Sequence, residues 1–149
     1  MKLHTCSEVV SFTKNLENES ARFYEDLSRR YAADADVWRS FATENRKNIV
    51  LIERAYYGVI TDAIEGCFAF QINPDDYVLD ATVAPIIKYP EALKKAISIE
   101  DSLIRYYSDA AEQGKVLMAD VPRTFAALVK KRLIRRATLQ SRLDSGATT

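Results

Sequence analysis

Four stretches of apolar residues at helical spacing, separated in the middle by one long proline-bearing gap, leave this chain few ways to fold. The first is expected over 6–31, with Val9, Phe12, Leu16, Phe23, Leu27 and Tyr31 on one side; Thr5 followed by Glu8 has the spacing of a capping box at its start. The turn AADAD, with Asp34 or Asp36 as cap, leads into a second helix over 35–65. That helix carries Trp38, Phe41, Ile52, Tyr56, Val59 and Ala63 inward and fades near Gly66. A third is expected over 90–113, with Leu93, Ala96, Ile99, Leu103, Tyr107 and Ala110 inward and Gly114 as its stop. Asp120 and Pro122 open a fourth over 121–143. Within the connection 67–89 only CFAFQI alternates enough to suggest a short extended piece. A connection of about twenty residues is long between packed helices, unless it crosses the length of a bundle so that the second and third helices run parallel.

Composition agrees with that reading. The 149 residues suffice for one core, so a single domain over 1–149 is expected, with 145–149 as a flexible tail. Gly and Pro number four each and 48% of residues are hydrophobic, which suits an all-α protein. Twenty-one bases balance twenty-one acids, giving no general reason to expect nucleic acid or an acidic membrane as partner. Cys6 and Cys67 are too few and too far apart for a zinc site, and are expected to be reduced. The first residues lack the layout of a signal peptide and no stretch is long enough to span a bilayer, so a soluble, cytoplasmic protein is expected.

What the stripes do not explain are their polar interruptions. In the fourth helix Phe125, Leu128, Leu139 and Leu143 repeat correctly, yet Arg132 falls at the centre of the stripe and Arg135 near its edge. The second helix places Asn45 and Asn48 between Phe41 and Ile52, and the first and third place Glu17 and Glu100 beside their stripes. An internal echo links these positions. LENESARFYEDL, from residue 16, aligns without gaps onto IEDSLIRYYSDA, from residue 99, matching Glu17 with Glu100 and Tyr24 with Tyr107. Trp38, Phe41, Asn45 and Asn48 take the spacing of Phe125, Leu128, Arg132 and Arg135. Two related helix pairs joined by a crossover fit both echoes.

With Glu-x(6)-Tyr at Glu17–Tyr24 and again at Glu100–Tyr107, the chain resembles the rubrerythrin-like branch of the ferritin-like di-iron carboxylate superfamily. The resemblance implies a ferritin-like four-helix bundle with a long crossover. It also implies a pair of irons held by Glu on helices one and three and by Glu-x-x-His on helices two and four, serving peroxide or oxygen chemistry. The sequence departs from that pattern at the ligands. FATENRKN puts Asn45 and Asn48, and LVKKRLIR puts Arg132 and Arg135, where Glu and His would stand; Glu44 with Lys47 does not rescue the motif, and the one histidine, His4, precedes the first helix. An arginine does not become a neutral ligand. A metal-free network is therefore expected at the former metal site, made of Glu17, Asn45, Asn48, Glu100, Arg132 and Arg135, with Tyr24 and Tyr107 closing one end. No cofactor is expected, the alternative being iron or another divalent metal at Glu17 and Glu100.

No catalytic residue is assigned. Carboxylates held by guanidinium groups are poor proton donors and weak bases near neutral pH. The body of the domain has no histidine with which to build a nucleophile pair, and no glycine-rich phosphate loop. The expected role is structural or interactive; the alternatives are a degenerate rubrerythrin-type oxidoreductase and a small-anion binding module built on Arg132, Arg135, Asn45 and Asn48. Eight tyrosines, together with the aromatic motifs RYY, AYYG and FAF, suggest more aromatics than one core uses, and hence a homodimer or an unidentified protein partner. The basic run of the fourth helix would use Lys130, Lys131 and Arg136 if it bound nucleic acid, which is the least favoured reading because no aromatic platform is interleaved.

Overall fold

A computed structural model describes residues 2–59, 69–115 and 120–146. The architecture is an all-α four-helix bundle: α1 (Cys6–Arg30), α2 (Ala35–Val59), α3 (Tyr89–Gly114) and α4 (Asp120–Asp144), with single 3-10 turns at Ala32–Asp34 and Pro74–Tyr77. α1 opens on the expected box. The Thr5 hydroxyl accepts from the Glu8 backbone N–H, while the Glu8 carboxylate accepts from the backbone N–H of Thr5 at 3.0 Å. Pro90 sits in the first turn of α3, where a missing N–H costs nothing. Val59 closes the described part of α2, so the expected fading near Gly66, and Ala63 with it, lie outside the described residues.

Side-chain pairs fix the helix directions. Lys14 meets Glu53 and Ser20 meets Asn45, so α1 and α2 are antiparallel. Glu100 meets Arg132 while Tyr107 stacks on Phe125, so α3 and α4 are antiparallel as well. Asp34 pairs with Arg142 and Asn45 with Arg135, which runs α4 against α2. Two antiparallel hairpins thus face each other with α2 and α3 parallel, and the connection after α2 must return along the bundle. Its described part begins on the expected extended piece, Ala69 to Ile72. Leu3 and Ile72 form an antiparallel bridge, and the Phe70 N–H donates to the His4 carbonyl at 3.1 Å. This pairing with the residues before α1 is not visible in the periodicity.

Gly114 ends α3 for a different reason from the one expected. Among the described residues only Gly146 has positive φ, so Gly114 is not a left-handed cap. A Cβ on it would lie 3.1 Å from Cζ of the buried Phe70, and glycine lets the ring of the crossover close against the helix end.

The core also corrects the aromatic surplus. Tyr24, Tyr106, Tyr107 and Phe70 are fully buried, Tyr56 and Tyr77 nearly so, and only Tyr57 is well exposed, at 64%. Phe68 lies outside the described residues. Tyr24 stacks on Trp38 and meets Phe41 edge-on, and Tyr106 bridges Phe12, Tyr77 and Tyr107. One four-helix core therefore takes up most of the described aromatics, with Tyr57 left on the surface. Cys6 is buried and Cys67 lies outside the described residues. Among the described residues no helix is long and apolar enough to cross a membrane.

Candidate functional site

Every polar interruption of the stripes points inward. Glu17, Asn45, Asn48, Glu100 and Arg132 have no exposed surface and Arg135 has 3%. They occupy the middle of the bundle because each sits mid-helix between large apolar residues on its own stripe. Leu16 and Tyr24 flank Glu17; Leu128 and Leu139 flank the arginines.

Arg132 is the hub. Its Nη2 donates to Glu17 Oε2 at 2.6 Å, and its Nη1 to both oxygens of Glu100 at 3.0 and 2.9 Å. One guanidinium thus joins the carboxylates of α1 and α3 from α4. Burial acts to lower the Arg132 pKa, but Glu100 and Glu17 together outweigh it and hold the group charged, well above its ordinary value.

The tyrosines cross over instead of closing one end. Tyr24 donates to Glu100 Oε2 at 2.7 Å, and Tyr107 donates to Glu17 Oε1, so each helix supplies the phenol for the other helix's carboxylate. The exchange joins positions that the sequence echo aligns, Glu17 with Glu100 and Tyr24 with Tyr107. Burial pushes both phenols well above the usual tyrosine range, and the carboxylate each one faces pushes further, so both are protonated donors.

Arg135 is buried but barely shares in the central pair, its Nη1 lying 3.8 Å from Glu100. It donates to Asn45 Oδ1 at 2.7 Å and to the Phe41 carbonyl at 3.2 Å, and it pairs with the half-buried Glu44 at 3.2 Å. Its guanidinium also lies over the rings of Phe41 and Tyr24, at 4.5 and 5.3 Å. The two asparagines are unequal. Asn45 donates to Ser20 Oγ at 2.7 Å while accepting from Arg135, whereas Asn48 reaches Glu17 only at 3.4 Å, and its Oδ1 has no partner among the described residues.

Two members escape the sequence pattern, Ser20 and Glu44. Ser20 Oγ accepts from Asn45 and, at 3.4 Å, from Arg132. The signal existed, because Ser20 is the small polar residue that the echo aligns with Leu103. Glu44, weighed only as a displaced ligand, serves as the outer acid for Arg135.

A di-iron group does not fit these residues. Its volume is filled by a guanidinium within hydrogen-bonding distance of both carboxylates, and a cation there repels metal ions. Among the described residues no three His, Cys, Asp or Glu side chains stand together as a ligand set. The basic run of α4 is likewise mostly engaged: Arg132 and Arg135 are buried, Arg136 is held by Asp101, and Arg142 pairs with Asp34. Comparison with family models, with curated proteins and with solved structures gave no match.

Proposed function

We propose that this chain is a non-catalytic, cytoplasmic ferritin-like domain whose former metal site has become a structural ion network, and that it acts as a structural or interaction module. One observation supports this above all: the Arg132 guanidinium joins Glu17 and Glu100 at the positions where the rubrerythrin-like pattern asks for metal-holding carboxylates. Two buried carboxylates face two buried guanidinium groups there, with Arg135 shared between Glu100 and the half-buried Glu44. A buried ion set of this kind adds little net stability, but it penalises any helix register that separates Arg132 from its acids. We read the network as fixing which helix faces which.

The test is elemental analysis of untagged protein expressed with iron, manganese and zinc supplied. Less than a tenth of an equivalent of each is expected; a stoichiometric metal would overturn the reading and favour a degenerate oxidoreductase. A second reading, an anion-binding module, has one observation in its favour. A cavity of about 170 Å³ between α2 and α4 reaches Arg135 past Lys131 and Thr138. Glu44 already answers Arg135 there, so the structural reading stands ahead of it.

A further inference from the structure

The outer face of α4 differs in kind from those of α1 and α3. The exposed residues of α1 are Ser11, Asn15, Arg22, Arg29 and Arg30, and those of α3 are likewise all polar, each charged or serine. On α4 the exposed positions include Ala126, Ala127, Leu133, Ile134 and Ala137, with Leu133 at 48% and Ile134 at 70%. These do not scatter. Arg123, Lys130, Ala137 and Asp144 recur every seven residues along the middle of the outer face, with 126/127, 133/134 and 140/141 on either side. The exposed apolar residues on the two sides, Ala126 with Leu133 and Ala127 with Ile134, lie one heptad apart, which is the seam spacing of a helix pair.

The seam is self-complementary in one orientation. Laid antiparallel on its own copy, with a two-fold axis between Leu133 and Ile134, α4 places Leu133 against Ile134 of the second copy and Ile134 against its Leu133. Lys130 then faces Ala137, whose size leaves room for the lysine stem to lie along the contact. Ala126 faces Ser141, small against small, so the backbones can approach. At both ends Arg123 faces Asp144. Both side chains are available: Arg123 is 76% exposed with a 3.8 Å contact to Asp120, and Asp144 is exposed, accepting from Gln140. A parallel pairing would set Arg123 on Arg123 and Lys130 on Lys130, which like-charge repulsion disfavours.

We propose that α4 is a homodimerisation surface, and that the occupant of its outer face is α4 of a second copy, antiparallel and in this register. It rests on the interaction reading above and gives that reading a partner and an interface. One helix face lies at the small end of the areas that stable dimers bury, so the equilibrium should be visible as a dependence of mass on concentration.

Sedimentation equilibrium over a wide concentration range tests this. A monomer–dimer equilibrium is expected, with Ile134→Glu monomeric throughout while its helical circular dichroism and thermal midpoint stay those of the parent at low concentration. Arg123→Glu and Asp144→Arg should each weaken association by roughly tenfold, and the double variant should recover most of that loss. A chain monomeric at all concentrations, a dimer indifferent to Ile134→Glu, or a double variant no better than either single one would each overturn the proposal. None of these outcomes bears on metal content, so failure here is separable from failure of the network reading.

Discussion

Arg132 carries a different weight from any neighbour, because buried carboxylates from two other helices both hold it. Replacing it with Met strands Glu17 and Glu100 in the buried interior, and a loss of about 3 to 5 kcal/mol is expected from the shift of the urea midpoint. Replacing Glu17, Glu100, Arg132 and Arg135 together by apolar residues of similar volume should leave stability within about 1 to 2 kcal/mol of the parent. An unchanged midpoint in the single Arg132 variant would contradict the network's role. The asparagines give a finer contrast. Asn48 holds a buried carbonyl oxygen with no partner among the described residues and makes one long bond, so Asn48→Leu should be nearly neutral. Asn45→Leu takes one partner each from Ser20 and Arg135 and should cost about 2 kcal/mol or more. Equal losses by the two variants would show that this accounting of bonds is wrong. Arg132 and Glu100 are legible in the sequence because a charge inside an apolar stripe has few places to go. Ser20 is less so, since a serine at a helix face fits equally well in water. The asymmetry between Asn45 and Asn48 depends on side-chain distances that periodicity does not encode.

Helix starts are local chemistry, and the start of α1 reads directly from Thr5 and Glu8. Removing the hydroxyl frees an N–H of the first turn, so Thr5→Ala should lower stability by about 1 kcal/mol, measured by thermal or urea unfolding. A change within error would show that the bridge formed by Leu3 and Ile72 holds the start of α1 without the cap. That bridge marks the limit of reading elements from spacing, for it joins residues far apart in sequence and only folding brings them together. Gly114 makes the same point. Its place at the end of α3 was legible, but its cause is the approach of Phe70 from the crossover, not a left-handed turn. The low amphipathicity of α4, with arginines inside and Leu133 and Ile134 outside, is where local and global signals conflict most, and both the ion network and the proposed dimer face lie there.

The whole bundle should be sensitive to alkali. Tyr24, Tyr106 and Tyr107 are buried, and burial raises all three; Tyr77 and Tyr89 are raised as well, burial again leading and their bonds to Asp109 and Asp34 adding to it. Unfolded tyrosines ionise near pH 10, whereas these keep their protons to higher pH when folded. Above about pH 10 the unfolded chain has therefore lost protons that the folded one still binds, and stability falls as pH rises; below it the contribution is complete. Urea unfolding at pH values from about 8 to about 11 should show a falling midpoint, and tyrosinate absorbance from these residues should rise only as helicity is lost. Tyrosinate formation by all eight residues in a chain still helical would contradict the burial described here.

The division of charge between the hairpins carries one more consequence, for synthesis. The first hairpin brings Glu17 inward with no cation of its own, while Arg132 comes from the last helix. A growing chain that has already released α1 and α2 from the ribosome holds half of an interior whose counter-ion is not yet made. Closure of the bundle must wait for α4, so until it emerges the Glu17 carboxylate of the first hairpin is left to water.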